Sequence, residues 1–233
     1  MNSTKHDDQF AEVQTLTFDC YGTLVDWRAG LEKSLLALFG AALMPRMAEV
    51  FTAYLETEKE VEAQALADGF RSYRLILAET AIRLGDRLAL PISMQAAEQL
   101  PEMLGDWPAY EDTVEALRRL KSRYRLGILS NIDRDLFART ARKLDVAFDF
   151  IITAQDVTSY KPGHAHFQAM LEQEGGPENV LHVAQSLYHD GQPANELGLA
   201  YVWINRYKDT DDLGVKKVAE YPDLRSLADA MGV

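Results

Sequence analysis

Two hydrophobic rhythms divide the chain unevenly. From Val13 to Phe18 a short apolar run, rich in β-branched and aromatic residues, predicts a buried strand that ends near Asp19. Gly22 permits a sharp turn just beyond it, where Thr23 offers a hydroxyl and an N–H. The spacing then turns helical. Leu31, Leu35, Leu36 and Leu38 form one stripe, and Met44, Met47, Val50, Phe51, Tyr54 and Leu55 continue it. Glu56, Glu58, Glu60 and Glu62 are acidic at every second position, which on a helix spreads them around a solvated side. A second helix is predicted over Arg71 to Leu84, through Tyr73, Ile76, Leu77, Ala81 and Ile82, and a third over about Ser93 to Leu104. Gly105-Asp106-Trp107-Pro108 then interrupts the pattern as a hinge.

From Tyr124 onward strands alternate with helices. Strands are predicted at Arg125 to Asn131, Phe150 to Ala154, Val180 to Gln185 and Ala200 to Asn205. Between and after them come helices at Asp133 to Leu144, with Asp133 as N-cap, near His164 to Glu172, about Gln192 to Leu197, and Pro222 to Ala230. Such alternation implies an α/β fold, a Rossmann-like parallel sheet covered by helices. About a hundred residues separate Asp19 from Leu126, far more than a βαβ crossover needs. The surplus is helical. We therefore expect a core of residues 1–25 and 108–233, with residues 26–107 inserted as a helical cap domain.

Composition narrows the function. The 233 residues are 47% hydrophobic and 26% charged, as expected of a globular protein. With 24 Lys+Arg against 36 Asp+Glu the net charge is -12, which repels nucleic acid and anionic membranes; a small anionic substrate remains compatible with a locally basic pocket. Residues Met1 to Glu12 are polar, without the apolar segment of a secretion signal, and no run reaches transmembrane length. One cysteine, Cys20, forbids an internal disulfide and fits a reducing, cytoplasmic setting. Strand alternation points Cys20 and Asp19 to opposite faces.

Candidate chemistry lies at the strand ends: Thr17 to Leu24 (Thr-Phe-Asp-Cys-Tyr-Gly-Thr-Leu), Ser130-Asn131, Lys161 within Ser159-Tyr160-Lys161-Pro162, and Asp190 closing Gln185-Ser186-Leu187-Tyr188-His189-Asp190. In this order, beside strands of a parallel sheet, they resemble the four motifs of the haloacid dehalogenase superfamily. That resemblance implies a nucleophilic Asp19, with Thr23, Ser130 and Asn131 contacting the substrate's anionic oxygens or the leaving group. Lys161 would keep Asp19 ionised and help hold the substrate's negative charge. Asp190 would orient or deprotonate the water that cleaves the covalent intermediate.

Position 21 bears on the reaction. Superfamily phosphatases carry a second aspartate there to protonate an alkoxide; here it is Tyr21, a substrate-binding candidate and a poor acid. A halide needs no proton, and the dehalogenase branch also has tyrosine there. Phosphatases usually read Gly-Asp-Ser in the fourth motif, whereas this chain reads Ala184-Gln185-Ser186 and lacks that carboxylate for Mg²⁺. No cofactor is therefore expected, a weak Mg²⁺ at Asp19 and Asp190 belonging to the phosphatase alternative. Leu187 and Phe167 stand where 2-haloacid dehalogenases carry asparagine and tyrosine, and no cap arginine for the halide is evident. His189 is a candidate to share the water's activation. These departures resemble a side branch that includes a hydrolase opening a strained cyclic amino acid at carbon. They also admit a non-catalytic binding protein, against which stands retention of every charged motif residue. Trp27, Arg28, Tyr73, Arg74 and Trp107 are candidates for the pocket wall, with Arg28 or Arg74 as a carboxylate fork. The cap's apolar stripe suits either a homodimer or packing on its own core.

Overall fold

The computed structural model describes residues 10–67 and 69–233. Residues 1–9 of the polar opening read above lie outside that range. Six strands, β1 (Thr15–Phe18), β2 (Arg125–Ser130), β3 (Phe150–Thr153), β4 (Val180–Ala184), β5 (Ala200–Ile204) and β6 (Ala219–Tyr221), form one sheet in the order β3-β2-β1-β4-β5-β6. Every pairing is parallel, as the alternation predicts. β1 is buried along its length, and Phe18 lies level with Ile128 on one side and Val183 on the other. The strand order reverses beside β1. That switch leaves a crevice at the carboxyl ends of β1 and β4, where ligands bind in open α/β sheets. Asp19 is the first residue past β1 and stands at this crevice.

β6 is an addition to the elements expected. It is only three residues long and partly exposed, as an edge strand tolerates, so it carries no hydrophobic pattern to read. A helix over Thr113–Lys121 is a second addition, and it buries Ala116, Leu117 and Leu120.

Between β1 and β2 the chain forms α1 (Trp27–Phe39), α2 (Met47–Ala67), α3 (Tyr73–Arg87), two short helices, α4 (Met94–Ala97) and α5 (Gln99–Met103), and then α6, the Thr113–Lys121 helix. The single helix expected over Ser93 to Leu104 is thus divided. Ser93 Oγ caps α4 by accepting the Ala96 N–H at 3.2 Å, and Pro101, with no N–H to give, cannot continue the ladder from α4. Gly30 in α1 serves a close approach. A Cβ there would lie 2.1 Å from Trp107 Cγ, so only glycine lets the indole rest on the helix, where its Nε1–H donates to Ser34 Oγ at 3.0 Å. One continuous core runs from Leu16 and Phe18 in the sheet to Leu31, Leu35, Leu77 and Leu84 in these helices.

After β2 the helices are α7 (Arg134–Leu144), α8 (Ala154–Val157), α9 (Ala165–Glu174), α10 (Gln192–Glu196) and α11 (Leu224–Ala230). Asp133 occupies the N-cap position of α7, but its side chain caps a different helix. Its carboxylate oxygens accept the Tyr73 N–H at 3.0 Å and the Arg74 N–H at 2.9 Å, at the start of α3. A buried carboxylate of the sheet-borne segment thereby satisfies two orphan donors of the inserted helices. Asp133→Ala is expected to cost roughly 1–2 kcal/mol, the scale of a lost N-cap, and Asp133→Asn less, because one acceptor remains. Urea denaturation of the two variants checks this; equal losses would remove the capping explanation.

Candidate active site

Gly22 adopts φ 102°, a left-handed conformation that favours glycine, and turns the chain immediately after Asp19. The turn brings Thr23 back beneath the carboxylate. Thr23 Oγ1 donates to Asp19 Oδ2 at 2.9 Å and accepts the Gln185 N–H at 2.9 Å. Both functions of the hydroxyl are used, and Thr23 is fully buried. The expected substrate contact is accordingly corrected: Thr23 positions Asp19.

Lys161 reaches the opposite oxygen. Its Nζ donates to Asp19 Oδ1 at 2.9 Å, Asp190 Oδ1 at 2.7 Å and the Leu129 carbonyl at 2.8 Å. Burial opposes the ammonium charge, but Asp19 and Asp190 more than offset this and raise its pKa above the ordinary lysine value. Asn131 explains how the lysine is aimed. Its Oδ1 accepts the Lys161 N–H at 2.7 Å and its Nδ2 donates to the Lys161 carbonyl at 2.9 Å, so the amide chiefly clamps this backbone. One amide hydrogen remains for a substrate. Ser130 is better suited to that contact, since its Oγ is buried without a partner and the residue lines the cavity.

Asp190 is fully buried. Its Oδ1 receives both Lys161 and the Nε2 of His182 at 3.0 Å, and Thr17 Oγ1 holds His182 Nδ1 at 2.8 Å from below. Burial pushes the Asp190 pKa up, but Lys161 and then His182 outweigh it and hold the carboxyl at about 2. Oδ2 has no partner among the described residues. Asp19 differs, because burial dominates and the Asp190 charge adds to it, so its pKa stands above the ordinary 3.8 despite Lys161 and Thr23. The two carboxylates share one ammonium unequally. Because Asp19 must be ionised to attack, kcat/KM should fall on the acid side with a midpoint above 3.8, which a pH–rate profile measures. An acid limb below that value would contradict the asymmetry.

The cavity over these groups is ≈ 210 Å³, room for a small molecule. Trp27, Tyr73 and Trp107 line it as expected; Arg28 and Arg74 do not. Arg28 lies 3.8 Å over the Tyr207 ring, and Arg74 pairs with Glu102 and Asp135. Leu187 and Phe167 also stay out of the cavity, packed in the core around β4. His189 lines it, bonded to Ser186, and burial lowers its pKa so that the imidazole is neutral at pH 7.

Two features went unread in the sequence. His182 sits within an apolar strand, and a lone polar residue there is the available signal. Glu58 and Glu62 line the cavity, against the expectation of a wholly solvated acidic face. Glu56 and Glu60 do face solvent and pair with Arg87. The register Val50, Tyr54, Thr57, Val61, Ala65 marks the buried face of α2, and Glu58 and Glu62 fall beside it.

The family profile for haloacid dehalogenase-like hydrolases matches residues 13–198. The chain belongs to that family. It is 27% identical to an (S)-2-haloacid dehalogenase of Pseudomonas putida over 212 residues, 88% of this chain and 90% of the other. With (S)-2-haloacid dehalogenase 4A of Burkholderia cepacia it shares 29% over 209 residues, 83% and 84% of the two chains. Among solved structures, the L-2-haloacid dehalogenase of Xanthobacter autotrophicus with chloropropionic acid covalently bound superposes with a TM-score of 0.78 at 18% identity, covering 93% of this chain and 97% of that one.

Within this hydrolase family, a divalent cation at Asp19 and Asp190 fits the present donor set poorly. The Lys161 ammonium already occupies the space between those carboxylates, and Gln185 supplies an amide where a further carboxylate would be needed. The proton donor a phosphatase requires is missing too. Tyr21 hydrogen-bonds Thr140 Oγ1 at 2.8 Å, and burial pushes its phenol well above the ordinary value.

Proposed function

We propose that the chain hydrolyses a bond at carbon of a small carboxylate through an aspartyl ester, with a 2-haloacid as the leading substrate. What supports this most is a buried Asp19 carboxylate held against the Lys161 ammonium at 2.9 Å, with Tyr21 raised out of range as an acid for the leaving group. Similarity to (S)-2-haloacid dehalogenases along most of the chain points to halide as that leaving group.

In this reading an Asp19 oxygen attacks the carbon, the carbon–halogen bond breaks, and its electron pair departs with the halide. Ser130 Oγ and the remaining Asn131 N–H contact the substrate. Water then attacks the Asp19 carboxyl carbon, releasing the hydroxy acid. Asp190, at about 2, is a weak base and better suited to orienting that water through its open Oδ2. The neutral His189 imidazole in the same cavity is the better acceptor for the proton. Among the described residues no helix is long and apolar enough to cross a membrane. The single, buried cysteine supports a reducing, cytoplasmic setting, and the net charge of -12 supports the absence of nucleic-acid and anionic-membrane partners.

The test is hydrolysis of 2-chloropropionate enantiomers, haloacetates, a cyclic amino acid and an aryl phosphate, with EDTA and with Mg²⁺. Halide release surviving EDTA, with label from H₂¹⁸O entering Asp19 in a single turnover, is the expected result. Phosphate release only with Mg²⁺ would replace this reading, and no turnover at all would leave a binding protein.

A further inference from the structure

His182 is an imidazole that does not line the cavity. It lies within β4, fully buried, with the ring of Phe167 edge-on at 5.1 Å and that of Tyr201 at 6.2 Å. A buried polar ring is tolerated when its nitrogens are partnered, and both are. Nε2 meets Asp190 Oδ1 at 3.0 Å, and Nδ1 meets Thr17 Oγ1 at 2.8 Å. An ionised carboxylate only accepts, so Nε2 carries a hydrogen, while the Thr17 hydroxyl can serve Nδ1 as donor or acceptor. We propose that His182 is a positioning residue for the second half of the reaction, fixing Asp190 so that Oδ2 receives the water that hydrolyses the ester. This rests on the reading of Asp19 as nucleophile and adds a residue that acts on only one of its two steps.

The torsion that turns a carboxylate is broad, so a single donor leaves the second oxygen free to swing. Asp190 Oδ1 has two donors, Lys161 at 2.7 Å and His182 at 3.0 Å, which together take both of its lone pairs. The water can meet only Oδ2, which is buried and unpartnered on a residue that lines the cavity. The hydrocarbon side chains of Leu187 and Phe167 offer this carboxylate no donor, and beyond Lys161 the imidazole is its one side-chain partner among the described residues. The sheet itself sets the ring. Thr17 and His182 are partners in the parallel register of β1 and β4, and Thr17 precedes the nucleophile by two residues. One strand pair thus locates both Asp19 and the group that steers Asp190.

The first step does not call on this contact. Asp19 is held by Thr23 and Lys161, and its attack on the substrate carbon uses neither His182 nor Asp190 Oδ2. In the second step the water oxygen bonds to the Asp19 carboxyl carbon, and the bond from that carbon to the substrate oxygen breaks with its electron pair on the departing oxygen. One water proton passes through His189 to that oxygen, and the other is released as Asp19 ionises again. Only here does the direction of Oδ2 matter.

Rapid-quench kinetics with 2-chloropropionate on the full chain separate the steps, because chloride reports ester formation and the intact protein mass reports ester not yet hydrolysed. In His182→Leu, chloride should appear at the native rate in a burst equal to the enzyme present. Release of the hydroxy acid should slow by about 10²-fold, the scale of a misplacement of about 1 Å, with the adduct accumulating on Asp19. His182→Gln keeps an N–H for Asp190 and should recover most of the loss. Thr17→Val frees the far side of the ring without touching Asp190; it should stall the same step less, and it decides the matter if His182→Leu does not fold. Ester hydrolysed at the native rate, or both steps slowed equally, overturns the proposal in whichever of these variants folds. Failure of the underlying reading looks different, since the native protein itself would then release no chloride, or release it without placing label from H₂¹⁸O in Asp19.

Discussion

Asp19→Asn is expected to reduce turnover by about 10⁴-fold or more, the scale on which removing a catalytic nucleophile acts, while leaving the fold as stable as before or slightly more so. The two effects have one origin. In the native site two buried carboxylates, Asp19 and Asp190, share the Lys161 ammonium, and Asp19 is the one whose pKa is raised. An amide of the same shape keeps one acceptor, for Lys161, and can turn its N–H₂ to the Thr23 hydroxyl as donor; it relieves the repulsion from Asp190 and cannot form the ester. Steady-state kinetics beside urea denaturation measure both quantities. A variant that kept a tenth of the activity would not be missing its nucleophile.

Lys161→Met should damage both properties. Removing one partner of a buried ion pair costs about 3–5 kcal/mol, and here two carboxylates lose the same cation. The pH dependence identifies the cause. In the native protein Asp190 is depressed to about 2, so its contribution is present above the unfolded value near 3.8 and is lost as pH falls through 2. Lys161 is raised, so its contribution is present below the ordinary 10.5 and is lost as pH rises through its folded value. Without the lysine both carboxyls are raised by burial, and stability then falls as pH rises through their elevated values. The stability gap to the native protein should therefore be smaller at pH 5 than at pH 8. A constant gap would assign the loss to packing alone.

The core strands were legible because a strand buried on both faces must be largely apolar, and β1, β2, β4 and β5 are, with only scattered polar positions such as Thr17 and His182. β6 lies at the edge and has no such constraint. The charged site residues were legible for a related reason, since Asp19, Lys161 and Asp190 each follow a strand end in chain order. What escaped were groups whose meaning depends on which helix face turns inward. Glu58 and Glu62 are chemically the same as Glu56 and Glu60, and only the packing of α2 on α3 and on the crevice separates them. Thr23 and Asn131 were found, but not their partners. Their neighbours in space, the Gln185 N–H and the Lys161 backbone, lie far along the chain; they make the Thr23 hydroxyl a support for Asp19 and leave Asn131 a single N–H for a substrate.

The burial of Cys20 has a chemical consequence for a protein that handles carbon electrophiles. A substrate reactive enough to alkylate a carboxylate alkylates a thiolate more readily, so a free thiolate beside the nucleophile would be consumed by the substrate itself. Cys20 adjoins Asp19 in the chain, yet it is fully buried in the core, and burial pushes its thiol well above the ordinary value. As the only cysteine in the chain, it leaves no accessible thiolate to be spent. Resistance to poisoning by its own reagent is thus built into the alternation of a single strand.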